Sequence, residues 1–216
     1  MTQSLPLLAS QVSHLHDQLL AQPGWPQTEA PEPPTELWRW VQANHRNNCL
    51  LWAEEDLARR TTVAEAEIAA NKRAIDRFNQ ARNDATERVD ELLLLALGLV
   101  DETSARSAAP LSRVPAGARL NSETAGSIVD RLSIVSLKLK AMAEQTRRQD
   151  VDQAHRDNSQ AKLARLQEQR TDLGHCLDVL LAETAAGRAY FKVYRQFKMY
   201  NDPQLNPQLV KERQQP

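Results

Sequence analysis

Apolar residues recur at helical spacing along most of the chain. Leu8, Val12, Leu15 and Leu19 step by three and four, which predicts a short amphipathic helix between Leu7 and Leu20. A proline-rich connector follows as far as Pro34. Six of the eleven prolines lie in the first 34 residues, and such a segment is stiff. Thr35 is a good N-cap after Pro33-Pro34, and the helix it opens runs to Arg59 or Arg60. Thr62-x-x-Glu65 has capping-box spacing and opens a second long helix that reaches about Leu99. At a rise of about 1.5 Å per residue this helix is about 55 Å long. Residues 101–121 hold two prolines and a glycine and read as a crossing loop. A third long helix begins near Ser122–Gly126 and continues to about Arg148. A fourth, from about Asp150 to Ala186, carries near-heptad Leu166, Leu173, Cys176/Leu177 and Leu180, and Gly187 suits its C-cap. The pattern predicts an all-α bundle of long antiparallel helices, almost without strand signals. It divides into an N-terminal helix and Pro-rich connector (1–34), a bundle domain (35–203) and a flexible tail (204–216).

Composition sharpens this picture by exclusion. The 216 residues include 6 glycines, where average usage of roughly 7% would give about 15. No G-x-G-x-x-G or G-x-x-x-x-G-K-[ST] loop occurs. Lys+Arg is 27 and Asp+Glu is 28, so the net charge of −1 argues against nucleic acid as the partner. No stretch approaches the ~18 apolar residues of a membrane span. The first residues, MTQSLPLLASQ, lack the basic flank and apolar length of a signal peptide. Cys49 and Cys176 make neither a disulfide framework nor a zinc cluster. The expected location is the cytoplasm.

The polar positions of the helices are more informative. Beside the apolar face of the second long helix runs a row of Asp76, Asn79/Gln80, Asn83, Glu87 and Asp90, also at steps of three and four. Asn and Asp are poor interior helix residues because their side chains compete for backbone hydrogen bonds. Such a row predicts a polar pocket inside the bundle; the competing reading is a solvated face with ion pairs such as Asp84–Arg88. On the preceding helix Asn48, Trp52, Glu55 and Arg59 lie along one face. Trp52 can wall a pocket while its indole N–H finds a partner. Glu55 or Asp56 facing Asp76, Glu87 or Asp90 would make an acidic cluster able to hold Mg²⁺. The same carboxylates could instead be neutralised by Arg59, Lys72, Arg73 and Arg82. Di-iron chemistry needs Glu-x-x-His pairs, which are absent.

Two further segments carry candidate chemistry. Ser122-Glu123-Thr124-Ala125-Gly126-Ser127 opens the third long helix, where free N–H groups and hydroxyls can meet an anion and Gly126 permits close backbone approach. Glu123 opposes an anion there unless it pairs with an arginine; Asp130, Arg131 and Lys138 follow on the same helix. Residues 188–200, RAYFKVYRQFKMY, hold five of the ten aromatic residues interleaved with Arg188, Lys192, Arg195 and Lys198. As a helix, this segment would put Tyr190, Tyr194 and Phe197 on one face, either binding a ligand or docking on the bundle. The histidines His14, His16, His45, His155 and His175 are scattered, with most expected at the surface.

Four blocks carry a family resemblance. They are NHRNNCLLWAEED (44–56), KRAIDRFNQARND (72–84), SETAGSIVDRLSI (122–134) and YRQFKMYNDP (194–203). In this order, over about residues 40–207, the chain resembles an uncharacterised bacterial family of all-helical domain-of-unknown-function proteins. The resemblance implies an association with surface-polysaccharide and glycosyltransferase genes, and no activity. The family pattern has proline where this chain has Ala125, which leaves the helix start less rigid.

The expectation is therefore a cytoplasmic helical protein with a polar intrabundle pocket for a phosphorylated or sugar-nucleotide ligand. Glu55, Asp56, Asp76, Glu87 and Asp90 would supply carboxylates for general-base work or Mg²⁺. Asn48, Trp52, Asn79, Gln80 and Asn83 would orient the ligand. Lys72, Arg131, Tyr194, Arg195 and Lys198 would meet its anionic part, with Ser122, Glu123, Ser127 and Asp130 at the helix start. The alternative is a non-catalytic adaptor that docks on a glycosyltransferase or another protein partner.

Overall fold

A computed structural model describes residues 5–196, 199 and 202–214. Its helices are α1 (Ala9–Ala21), α2 (Glu36–Leu57), α3 (Glu65–Ala96), α4 (Glu102–Ala105), α5 (Ala125–Thr146), α6 (Gln153–Ala185) and α7 (Pro207–Gln214). The all-α architecture is as the periodicity predicts. Two-residue strands β1 (Arg119–Leu120) and β2 (Ala189–Tyr190) pair in parallel.

Local chemistry explains most helix starts. Thr35 accepts from the backbone N–H of Trp38, Thr124 from Ser127 and Asp152 from His155, each satisfying an orphan donor of the first turn. The capping box expected at Thr62 does not form. α3 starts at Glu65 after Ala64, which gives no side-chain cap, so Glu65 stands at the first helical position instead of the third. Glu65 and Glu67 then face the positive end of the helix dipole. α3 is one unbroken helix of 32 residues, about 48 Å long.

The helices form two antiparallel hairpins, α2–α3 and α5–α6, and α5 is the central element. It packs against α1, α2, α3 and α6, whereas α6 packs on α1, α5 and β2. The open side of α5 thus becomes a cleft with α2 and α3 on one flank and α6 on the other. Val89, Leu93, Ile128, Leu132, Leu177 and Leu181 fill the core beneath it. At the start of α5 the helices touch backbone to backbone. A Cβ on Gly126 would stand 2.5 Å from the Thr86 carbonyl and 2.9 Å from the Asp90 carboxyl, so only glycine fits this crossing.

Two predicted surfaces are corrected. In α1 the buried side chains are Ala9, Val12, His16 and Leu19, with Leu7 just before the helix, while Leu8 is exposed. The inward stripe keeps Val12, Leu15 and Leu19, differs from the expected one at Leu8, and has a histidine on it. The expected cationic-aromatic helix over 188–200 is absent through residue 196. Gly187, at φ +70°, ends α6, and the chain continues as β2 and then extended. Ala189, Phe191 and Val193 are buried in alternation, the period of a strand. Tyr190 and Tyr194 therefore share no helical face, and Phe197 lies outside the described residues. Within the expected tail, Pro207–Gln214 form α7.

Candidate functional site

The central feature of the cleft is a buried hydrogen-bond network between α2, α3 and α5. The Asn44 amide donates to Asp130 Oδ1 at 2.8 Å and to Thr86 Oγ1 at 3.1 Å. The Asn48 amide donates to the same Asp130 oxygen at 2.8 Å and to Ser133 Oγ at 3.0 Å. Ser133 Oγ lies 2.8 Å from His45 Nδ1. Asn44, His45, Asn48 and Ser133 are buried, Thr86 and Asp130 are half-buried, and each is satisfied by its neighbours. Arg82 reaches the network from α3, its Nε 3.9 Å from Asp130. That Nε is buried and makes no hydrogen bond, while the same guanidinium donates to Asn83 Oδ1 at 2.9 Å.

The network opens into a groove of about 400 Å³ between α2, α3 and α5. Asn48, Trp52, Glu55 and Asp56 line it from α2, and Asn79 and Arg82 from α3. Ile75, Ile134 and Leu137 give it an apolar floor. Glu55 is paired with Arg59 at 3.6 Å, four residues on. Trp52 makes no hydrogen bond among the described residues. Beyond Trp52 the cleft continues into a second cavity of about 620 Å³ between α5 and α6.

The predicted carboxylates do not converge. Asp76 and Lys72 are exposed, away from the groove that Ile75 faces. Gln80 is bonded to exposed Asp84 one turn on. Glu87 and Asp90 belong to a different assembly. Eleven residues separate Asn79 from Asp90, about 16 Å along the helix. Among the described residues no group of three or more His, Cys, Asp or Glu side chains is placed to hold a metal ion. A cation in the groove would need its other ligands from water or a bound phosphate.

At the start of α5, Asp90 is buried and accepts from the Gly126 N–H at 2.6 Å. Burial pushes its carboxyl up to about 7, against the opposing pull of hydrogen bonds from Thr124 and Gly126. The helix N-terminus expected to receive an external anion is thus filled by a side chain of α3. Ser127 is hydrogen-bonded to Thr124, Ser122 is exposed, and Glu123 pairs with Arg131. Arg195 is not free for a ligand either. It donates to Glu87 and Glu91 and to the carbonyls of Ala105 and Ser107, and the Gln196 N–H donates to Glu87. Glu91 also receives Arg88, which bonds Glu36. These groups strap the C-terminal segment to α3. Tyr194 is 51% exposed beside them, and Lys198 lies outside the described residues.

Sequence reasoning missed three features. The first is the network that Asn44, Thr86 and Ser133 complete around Asn48 and Asp130; Asn44 and Asn48 at i,i+4 were the available signal. The second is Glu91, which completes the strap. The third is a pair of fully buried imidazoles, His16 and His45, stacked with ring centroids 4.3 Å apart. Burial holds both neutral: His45 is lowered to about 3, and His16 falls well below its ordinary value, further depressed by His45 and Arg170. Cys49 lies beside them and accepts from the Trp25 indole at 3.3 Å; burial pushes its thiol up to about 11, an unreactive state.

The same α2–β2 body that carries the cleft is what comparison with known proteins recognises. The model of family DUF4254, described as a protein of unknown function, matches residues 38–193. The chain belongs to the DUF4254 family. No curated protein and no solved structure matches it. Every groove residue named above lies within the DUF4254 span, whereas α1 and α7 lie outside it.

Proposed function

We propose that this DUF4254 protein binds a phosphorylated, hydroxyl-rich small molecule, a sugar phosphate or sugar nucleotide, in the groove beside Trp52. The convergence of Asn48, Trp52, Asn79 and Arg82 from two helices on one groove supports the reading. Amides accept from and donate to hydroxyls, and the Trp52 face suits a sugar ring or a base. The guanidinium of Arg82, which lines the groove, suits a phosphate oxygen. Glu55 and Asp56 stand at the rim, where they would bind hydroxyls or share Mg²⁺ with the ligand's phosphate. The reading includes a cytoplasmic location, with which two free cysteines agree.

A thermal-shift screen of sugar phosphates and sugar nucleotides, with and without Mg²⁺, tests it. A ligand that binds the folded state raises the midpoint with its concentration. The shift should disappear in Trp52→Ala and Asn79→Ala. No shift from any compound overturns the proposal.

The adaptor reading has its own observation. Leu111 is 78%, Val114 49% and Leu120 43% exposed on the loop before α5, on the strap's side of the molecule. Tight capture of one protein partner, abolished by Leu111→Asp, would favour it.

A further inference from the structure

The cavity between α5 and α6 differs chemically from the groove it adjoins. Its floor is Ala141 and Met142 of α5 and Leu166 of α6, and Trp52 closes the side toward α2. Its charged residues are Lys138, Lys162 and Arg165; no acidic residue lines it. Among the described residues none of these three cations makes an ion pair. The three cations are exposed beside an apolar floor, and the floor stays wet. An occupant with an anionic head and an apolar body would meet the charges and cover the floor. The volume of about 620 Å³ falls within the roughly 300–1,000 Å³ of small-molecule sites. The positions also fit one geometry. Lys138, Ala141, Met142 and Gln145 step by three and four along α5, and Lys162, Arg165, Leu166 and Gln169 do so along α6. Each helix thus presents cations beside apolar side chains on the cleft side.

We infer that this cavity is a binding site for an amphipathic organic anion, its phosphate or carboxylate held by Lys138, Lys162 and Arg165 and its apolar body laid on Met142, Leu166 and Trp52. The site shares Trp52 with the groove proposed for a sugar ligand and otherwise uses different residues. A free metabolite and a membrane lipid headgroup share this chemistry, and the test separates them.

The experiment uses the full chain and an anionic naphthalene-sulfonate dye, displaced by octyl phosphate, octyl glucoside or inorganic phosphate below micelle-forming concentrations. Octyl phosphate should displace the dye at one site per chain, at least tenfold more tightly than octyl glucoside. Inorganic phosphate should not displace it. Lys138→Glu with Arg165→Glu should weaken octyl phosphate at least tenfold while the melting midpoint and helical circular dichroism stay unchanged. Ala161→Trp, which crowds the mouth and removes no charge, should do the same. Asn79→Ala should leave it intact, so loss of sugar-nucleotide binding alone would sink only the groove proposal. Sedimentation with vesicles of anionic phospholipid assigns the source: pelleting that Lys138→Glu abolishes identifies the headgroup, and none identifies a free anion. Equal displacement by the neutral glucoside overturns the inference, as does unchanged affinity in the charge-reversed protein. So does a dimer whose formation expels the dye, which would give the cavity to a second copy.

Discussion

The two ends of α5 use the same residue types differently. Around Gly126, Asp90 bonds the helix start and Glu87 and Glu91 hold Arg195. Around Trp52, Lys138, Lys162 and Arg165 face a cavity with no carboxylate on its walls. At the first end the polar groups complete each other, so their role is to hold the helices and the C-terminal strap together. At the second they have no internal partner, so they are available to a ligand. Polar groups of the packed helices thus complete one another at one end of the cleft and stand without ion-pair partners at the other. Completeness of internal pairing distinguishes the two.

The largest effect that could break this comparison is at the strap. Arg195→Ala leaves Glu91, whose side chain is 6% exposed, without its partner from the strap, and frees Glu87 and two carbonyls. Breaking a buried pair outright costs about 3–5 kcal/mol; Glu91 keeps Arg88, so urea unfolding should show a loss at the low end of that range. If Arg195→Ala is as stable as the parent, the strap is not structural and Arg195 returns as a candidate ligand residue. Gly126→Ala comes next. Its methyl would press on the Thr86 carbonyl and the Asp90 carboxyl, an overpacking worth about 1–3 kcal/mol. A neutral result would mean that α3 and α5 can separate without loss.

Acid tests the buried histidines. Unfolded, each imidazole takes a proton near about 6.5; folded, His45 does so only at about 3, and His16 well below its ordinary value. Below about pH 6.5 the unfolded chain binds more protons, so stability falls as pH drops, by up to about 2.7 kcal/mol per unit for the pair. His16→Leu should roughly halve the slope of stability against pH between 4 and 6, read by urea titration. Asp90 acts in the opposite sense. Its carboxyl is raised to about 7, so the folded state keeps a proton that the unfolded chain loses near about 4, and stability falls as pH rises between those values. Asp90→Asn should gain on the parent protein from pH 5 to pH 8. A constant difference across that range would mean that Asp90 is charged when folded.

Much of the bundle was legible because its signals are local. Thr35 caps where its hydroxyl was expected to, and Gly126 marks the close approach inferred from its place at a helix start. The groove was legible in part. Asn48, Trp52, Glu55, Asp56 and Asn79 share it because their spacing placed them on facing stripes. The carboxylate cluster was not, because helix periodicity fixes which side a residue faces and not how far along the bundle its partner stands. Asp76 lies on the outside, and Asp90 about 16 Å beyond Asn79 meets α5 instead of α2. The 188–196 segment misled for another reason. Ala189, Phe191 and Val193 alternate as a strand, but the strand exists only because Arg119 and Leu120 are brought alongside from 70 residues earlier. The stacked pair of His16 and His45 joins helices across the proline-rich connector and has no local sign.

The smallest effects on stability belong to the open end, and they decide what the comparison means. Arg59 pairs with Glu55 at 3.6 Å, both largely in solvent, and exposed pairs of this kind contribute about 0–1 kcal/mol. Arg59→Ala should therefore shift the urea midpoint little. Lys138→Ala should shift it less, since no internal partner is lost. If Lys138→Ala is instead as destabilising as Arg195→Ala, the cations at the cleft serve the fold after all, and the difference between the two ends disappears. If the folded state is unaffected while displacement of the anionic dye weakens, the open end is tuned for an occupant and the closed end for the bundle.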